Sequence, residues 1–378
     1  MTTASDGTST EWGSDSIASL VASLGSPYIA FTPGSSFRGL QDSLVNSLGD
    51  SGPTLLTCLH EEHAVAIAHG YAKVAGEPMV VLVHTNVGLM HATMAIYNAF
   101  CDRVPMLLIG GNGPADAERR RPWIDWIHTV ADLPALVRPF VKWDDSPASL
   151  PAALRSTARA WELALTPPMG PTYVVLDVTT QEEPVHVSPL LPRVSEREAL
   201  DAVWANPATV RAASDALRNA RRPVILLGRA VPDERLFSLR VALAEALDAR
   251  VITDLRTAGS FPSRHPLHVG GNGSFLGGEA RAVLDDADVV LALDWVDLAG
   301  TLGGRRSAAA RTIIDVSMDA YAADGWTKTQ FERVQADFWL PTTADTAVAQ
   351  ILATLEDRSG GRVAPGGQAG PAYSQVGA

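Results

Sequence analysis

A chain of 378 residues, 46% hydrophobic and 6% aromatic, is long enough to bury the cores of two ordinary domains. Its formal net charge of −12 argues against a nucleic-acid or anionic-membrane surface. Two cysteines, Cys58 and Cys101, stand in apolar surroundings and in no metal-ligand spacing, which predicts core thiols, no disulfide framework and a reducing, cytoplasmic setting.

The first residues, MTTASDGTSTEWGSD, lack the basic start and apolar centre of a signal peptide, and no apolar stretch reaches bilayer-spanning length. Short apolar runs then alternate with longer segments of helical period, the pattern of parallel βα units. Tyr28–Phe31, Thr54–Leu59, Pro78–His84, Pro105–Gly110 and Thr172–Val178 read as strands buried on both faces. Glu61–Ala75, Leu89–Cys101 and Ala148–Leu165 read as helices, with Gly76 as the stop of the first. Arg119-Arg120-Arg121 is the one concentrated basic patch; running into Pro122-Trp123, it reads as a solvated loop.

The Pro-bearing stretch from Glu183 to Arg193 breaks the pattern and predicts a linker. A second series follows, with strands at Val224–Leu227, Arg250–Thr253, Asp288–Leu293 and Thr312–Val316 and helices between them. The expected fold class is α/β: two doubly wound parallel-sheet domains, over residues 1–182 and 205–356, the second Rossmann-like. A linker over 183–204 and a disordered Gly/Pro/Ala-rich tail over 357–378 complete the expectation.

The most informative stretch is Leu59-His60-Glu61-Glu62-His63-Ala64, continuing through His69-Gly70-Tyr71-Ala72. A carboxylate stands where an apolar strand hands over to a small-residue helix, and open α/β sheets bind ligands at the carboxyl ends of their strands. Burial at such a point lets a carboxyl group hold or share a proton near neutral pH, whereas an exposed helix-start glutamate only complements the helix dipole. A zincin helix needs HExxH; Ala64 stands where the second histidine would be, so metal ligation is not expected.

With its neighbours, LHEEHAVAIAHGYAKVAGEP resembles the activating-glutamate segment of thiamine-diphosphate enzymes, benzoylformate decarboxylase and acetohydroxyacid synthase among them. Thr32-Pro33-Gly34-Ser35 is similar to the turn after that family's first strand, and Val83-His84-Thr85 falls where benzoylformate decarboxylase has an active-site histidine. Arg138-Pro139-Phe140-Val141-Lys142-Trp143 matches its next stretch, and Phe261-Pro262-Ser263-Arg264-His265-Pro266 and Ala287-Asp288-Val289-Val290-Leu291 resemble the central domain. The resemblance implies a pyrimidine-binding domain followed by a central domain. It makes Glu61 the residue that hydrogen-bonds the cofactor's pyrimidine nitrogen and so favours the tautomer able to remove the thiazolium C2 proton. Pro33 and Gly34 join Glu61 in binding the cofactor, His84 joins it in catalysis, and Ser35, His91 and His128 face the substrate. Relatives carry polar groups, Asn and Gln, near the positions of His91 and His128.

Two departures qualify that implication. Benzoylformate decarboxylase has a further histidine after the strand equivalent to Val289–Leu293, but here Asp294-Trp295-Val296-Asp297-Leu298-Ala299-Gly300-Thr301 contains none, so its full proton relay and aromatic substrate do not carry over. Complete relatives also have a third domain, with Gly-Asp-Gly and a downstream Asn, that holds Mg²⁺ and the diphosphate; Gly49-Asp50-Ser51 is the nearest string and lies in the wrong domain. A separate subunit is expected to supply that domain, in a hetero-oligomer built on a dimer or tetramer. The glycine run Gly270-Gly271-Asn272-Gly273 lacks the dinucleotide fingerprint and a preceding strand, so a structural loop is expected in preference to a site for FAD or the ADP part of coenzyme A.

The expected function is a subunit of a thiamine-diphosphate-dependent lyase or carboligase acting on 2-oxo acids or their acyloin and 2-hydroxyacyl relatives. The alternatives are an acetolactate-synthase-like carboligase, a non-catalytic scaffold or regulatory subunit, and a stand-alone nucleotide-binding protein. Retention of Glu61 and His84 speaks against a scaffold, which has no need of them.

Overall fold

A computed structural model describes residues 12–187, 189–194, 203–231, 233–257, 259–271, 276–303, 311–321 and 334–358. These fall into two compact units that divide at 195/196. The residues expected to form the tail lie outside this set from 359 onward, as do 188 and 195–202 of the expected linker and Asn272 and Gly273 of the glycine run.

The first unit opens with helix α1 (Gly13–Ser23) and then winds a six-stranded sheet: β1 (Tyr28–Phe31), β2 (Thr54–Thr57), β3 (Met79–Val83), β4 (Met106–Asn112), β5 (Trp143–Asp145) and β6 (Pro171–Asp177). The strands lie in the order β2-β1-β3-β4-β6-β5, every pairing parallel. Between them come α2 (Arg38–Asn46), α3 (Glu61–Ala75), α4 (Asn86–Cys101), α5 (Ile124–His128) and α6 (Leu150–Leu165), and α7 (Val178–Glu182) follows the last strand.

Alternation along the strands builds two cores. Ala30, Val81, Val83, Leu108, Tyr173 and Val175 point to one face and pack with Ala64, Ala68 and Ala92 of α3 and α4. Ile29, Phe31, Val80, Leu82, Leu107 and Val174 point to the other and pack with α1, α2 and α6. Each fully buried aliphatic side chain contributes about 1.5–3 kcal/mol. The small residues of α3 and α4 let these helices lie close to the sheet. α3 ends as its sequence predicts, with Gly76 in the left-handed region at φ 75°. Leu191 and Val194, around the stretch expected to link the domains, pack on the second of these cores.

The second unit contains β7 (Pro223–Leu227), β8 (Arg250–Thr253), β9 (His268–Gly271), β10 (Val289–Leu293), β11 (Thr312–Val316) and β12 (Phe338–Leu340). Their order is β12-β11-β10-β7-β8-β9, all parallel. Numbered within the unit this is 3-2-1-4-5-6, the dinucleotide-fold order. Helices α8 (Pro207–Arg218), α9 (Glu234–Leu247) and α12 (Ala344–Arg358) cover one face, with α10 (Gly278–Asp286) and α11 (Leu298–Thr301) on the other. β9 corrects the expectation that no strand adjoins the glycine run, because Gly270 and Gly271 belong to that strand. Among the described residues no helix is long and apolar enough to cross a membrane.

Candidate active site

In the first sheet the chain order reverses between β1 and β3, and the crevice at the carboxyl ends of these strands is where such sheets bind ligands. Three strand–helix junctions deliver polar groups there. After β1 the backbone runs through Thr32, Pro33 and Gly34 into a single 3₁₀ turn at Ser35–Phe37. After β2, His60 caps α3 by accepting a hydrogen bond from the Glu62 amide at Nδ1 (3.2 Å), and Glu61 is the first helical residue. After β3 come His84 and then Thr85, which precedes α4.

Glu61 is only 6% exposed. One carboxylate oxygen, Oε2, lies 3.2 Å from His91 Nδ1, one and a half turns into α4. His91 stacks on His60 with ring centroids 4.6 Å apart, and His63 approaches His60 at 5.6 Å. The other oxygen faces Gly88, where a Cβ would stand 2.7 Å from Oε1. The helix start favours the negative charge, and the small residue leaves it room.

His84 forms the second cluster. Its Nδ1 lies 2.8 Å from Ser36 Oγ, and its ring centroid is 4.7 Å from that of His128. Burial, and next the neighbouring His128, lower the His84 pKa from its usual value, while the charge of Glu61 pulls it up. Gly34 is a steric requirement: a Cβ there would meet the His84 ring at 2.7 Å. His128 ends α5, which Asn86 ties to the start of α4 through a bond from Nδ2 to the Ile127 carbonyl (3.0 Å).

Of the residues expected at the site, Glu61 and His91 meet in one cluster and His84 and His128 in the other, with Gly34 against His84. Pro33 is exposed beside them. The serine that bonds His84 is Ser36, not Ser35. In the tight turn Ser36 points inward and is 3% exposed, whereas Ser35 is only partly buried. Ser36, Gly88 and His60 are the residues that sequence reasoning missed. The Ser-Ser pair and the position of His60 ahead of Glu61-Glu62 were visible signals, but only the turn geometry tells which serine faces in.

The side chains of the basic patch are engaged locally, two of them with carboxylates. Arg119 pairs with Glu183, Arg120 donates to the Pro114 carbonyl, and Arg121 binds Asp125 through Nε and Nη2. In the second unit, the equivalent crevice at β7 and β10 is narrow. A Cβ on Gly228 would lie 2.1 Å from the Asp294 carbonyl oxygen, and Arg229 pairs with Asp294 (3.0 Å) and Asp319 (3.6 Å).

The first unit fits the pyrimidine half of thiamine diphosphate, since a nearly buried carboxyl, one oxygen of which has no hydrogen-bond partner among the described residues, is the group a ring nitrogen needs. For the metal-bound diphosphate, no group of three or more His, Cys, Asp or Glu converges among the described residues.

Residues 11–133 match the family model for the N-terminal TPP-binding domain of thiamine pyrophosphate enzymes, and residues 210–337 match the model for their central domain. A probable 2-ketoarginine decarboxylase of Pseudomonas aeruginosa is 30% identical over 262 residues, covering 66% of this chain and 43% of the relative. Benzoylformate decarboxylase of the same organism is 29% identical over 62% of this chain and 43% of its own. The acetolactate synthase large subunit of Lactococcus lactis is 27% identical over 74% and 47%. The chain thus spans less than half the length of these curated relatives. The thiamine diphosphate-dependent 4-hydroxybenzoylformate decarboxylase of Rhodococcus jostii superposes with a TM-score of 0.72 at 21% identity, over 91% of this chain and 62% of that one.

Proposed function

We propose, for a chain that belongs to the thiamine-diphosphate-dependent decarboxylase and carboligase family, that its first unit supplies the cofactor-activating half of an active site, with Glu61 as the activating residue. The observation that carries this reading is the burial of the Glu61 carboxyl at the start of α3, held by His91 on one oxygen and given room by Gly88 on the other.

Thiamine diphosphate, when bound, supplies a carbon nucleophile that adds to a carbonyl and then accepts the electron pair of the broken carbon–carbon bond. The chain's own part is proton control and orientation. Glu61 would hold a proton against the pyrimidine nitrogen, with Pro33 and Gly34 bordering the cofactor. His84 and His128, with Ser35 on the adjoining turn, would bind the oxygen atoms of the substrate. The substrate class we favour is a 2-oxo acid, or an acyloin or 2-hydroxyacyl compound for the reverse sense of reaction. The relatives' names, 2-ketoarginine and benzoylformate decarboxylase on one side and acetolactate synthase on the other, support both senses.

We assign Mg²⁺ and the diphosphate to a separate subunit, in a hetero-oligomer built on a dimer or tetramer. Apolar side chains beside the site support a covering partner. Ile67 and Val74 on α3 continue the exposed stripe that starts at His63, and Val87, Met90 and Met94 on α4 surround His91; all are exposed.

The test is Glu61→Gln in the complex reconstituted with the diphosphate-binding subunit, thiamine diphosphate and Mg²⁺. Turnover should fall by about 10²–10⁴-fold, the range for losing a positioned acid–base group, with the melting temperature unchanged. Near-normal turnover would remove Glu61 from the mechanism.

A further inference from the structure

Ser36 is 3% exposed, so its hydroxyl hydrogen needs an acceptor. The Thr85 amide donates to Ser36 Oγ (3.3 Å), which uses the oxygen as an acceptor and leaves the hydrogen to be placed. Among the described residues the one acceptor within reach is His84 Nδ1, at 2.8 Å. The Ser36 backbone is held in place, because Gln181 Nε2 donates to the Ser36 carbonyl (2.9 Å) and Gly111 packs against that carbonyl so closely that a Cβ there would lie 2.1 Å from it. The neighbouring ring is fixed in the opposite sense. His128 Nδ1 lies 3.0 Å from the Ile124 carbonyl oxygen, which can only accept, so Nδ1 carries the hydrogen.

We propose that Ser36 is a positioning residue that donates to His84 Nδ1 and fixes its imidazole with the hydrogen on Nε2, while the Ile124 carbonyl fixes the adjacent His128 with its hydrogen on Nδ1. The two rings, 4.7 Å apart, therefore carry opposite tautomers. The Nε2 atoms have no hydrogen-bond partner among the described residues, and they differ in character: a donor on His84 and an acceptor on His128. Resting on the reading that both rings serve the site, this pair discriminates among substrate oxygens. A carbonyl or carboxylate oxygen, which only accepts, bonds to His84. A hydroxyl hydrogen, as in a 2-hydroxyacyl compound, bonds to His128.

The tautomers are read by nitrogen-15 NMR of the histidine side chains, on the purified chain without cofactor, in mildly alkaline solution. The nine histidines are assigned by the loss of each signal in single variants such as His84→Asn and His128→Gln. The expected result is one ring with the Nε2–H pattern at His84 and one with the Nδ1–H pattern at His128. In Ser36→Ala the His84 pattern should move toward the averaged values of a ring exchanging both forms, with His128 unchanged, and Ser36→Thr should restore it. A His84 carrying its hydrogen on Nδ1 overturns the proposal, as does a His84 pattern unaltered in a folded Ser36→Ala. If Ser36→Ala does not fold, the wild-type pattern of the two rings still decides it. Loss of activity in Glu61→Gln and the tautomer measurement are independent, so failure of one reading leaves the other standing.

Discussion

Gly88 and Glu61 touch across the gap between α3 and α4: a side-chain carbon on Gly88 would lie 2.7 Å from Glu61 Oε1, and 2.9 Å from His84 Cβ as well. One missing methyl group therefore keeps open the space into which the carboxyl points, and it separates the glutamate cluster from the histidine cluster. Gly88→Ala should push the Glu61 carboxyl aside at a cost of about 1–3 kcal/mol in overpacking. Turnover of the reconstituted complex is expected to fall at least ten-fold with the fold intact by circular dichroism. Unchanged activity would mean that the carboxyl does not work from this position.

His84 makes stability pH-dependent with a definite sign. Burial and His128 lower its pKa below the ordinary imidazole value of 6.5, against the pull of Glu61. Between the ordinary value and the lower native one, the unfolded chain binds more protons than the folded chain. Stability is therefore fully present above the unfolded value and declines as pH falls through this window. Urea midpoints of the chain alone, measured pH by pH, should show a slope that His84→Gln reduces. Glu61→Gln, by removing the upward pull, should carry the slope to lower pH. Identical slopes in wild type and His84→Gln would contradict this account.

Asp125 anchors the short helix that carries His128. It is 2% exposed and accepts from the Arg121 amide (2.6 Å) and from Arg121 Nε and Nη2 (3.2 and 3.1 Å). Burial pushes its pKa up, but these bonds and the charges of Arg121 and Arg120 outweigh it and hold the carboxyl below its usual range. Asp125→Ala strands the Arg121 amide and is expected to cost about 1–3 kcal/mol, read as a lower melting temperature. No change in melting would show that α5 is held by other contacts.

The second unit buries an ion pair, Arg240 with Asp345 at 3.3 Å, where the aspartate also accepts from the Val231 amide (3.0 Å). Burial raises the Asp345 pKa and lowers that of Arg240, so desolvation opposes both charges. Removing the aspartate alone should cost about 3–5 kcal/mol, whereas replacing both residues by apolar ones of similar size should recover most of that loss. Chemical denaturation of Asp345→Ala and of the pair Arg240→Met/Asp345→Leu checks this, and a double variant weaker than the single would refute it.

Met90 and Met94 test the proposed partner. Both are more than half exposed on α4, flanking His91. Met90→Asp with Met94→Asp should leave the stability of the isolated chain within about 0.5 kcal/mol of wild type, as surface changes do. It should also weaken association with the proposed diphosphate-binding subunit by at least ten-fold in calorimetry. Unaltered association would move the interface elsewhere.

Much of the framework was legible because burial writes itself into periodicity. Arg250–Thr253, Thr312–Val316 and Glu61–Ala75 have the bounds that the pattern predicts, since apolar runs, a helix-start glutamate and a terminal glycine all agree. The strands β5 and β12 were not legible, because three residues at a sheet edge carry too little alternation to stand out. At the site, His84 was found because it follows directly on β3 and Glu61 because it opens α3 shortly after β2, each in a stretch that resembles the family's. Ser36 was not, because a 3₁₀ turn reverses which of two adjacent serines faces inward. His91 was expected to face the substrate, and only the packing of α3 against α4 brings it to Glu61.

Ser36, Glu61 and His84 follow three neighbouring strands whose separation, about 4.8 Å, is set by backbone hydrogen bonds. Such anchorage resists drift, so this trio is a rigid ruler. His128, by contrast, hangs on the excursion after β4 together with the exposed, edge-to-face pair Trp123 and Trp126. Changes of length or sequence there can reshape the mouth of the crevice without disturbing the ruler, which makes residues 113–132 the natural place to retune which molecules this scaffold accepts.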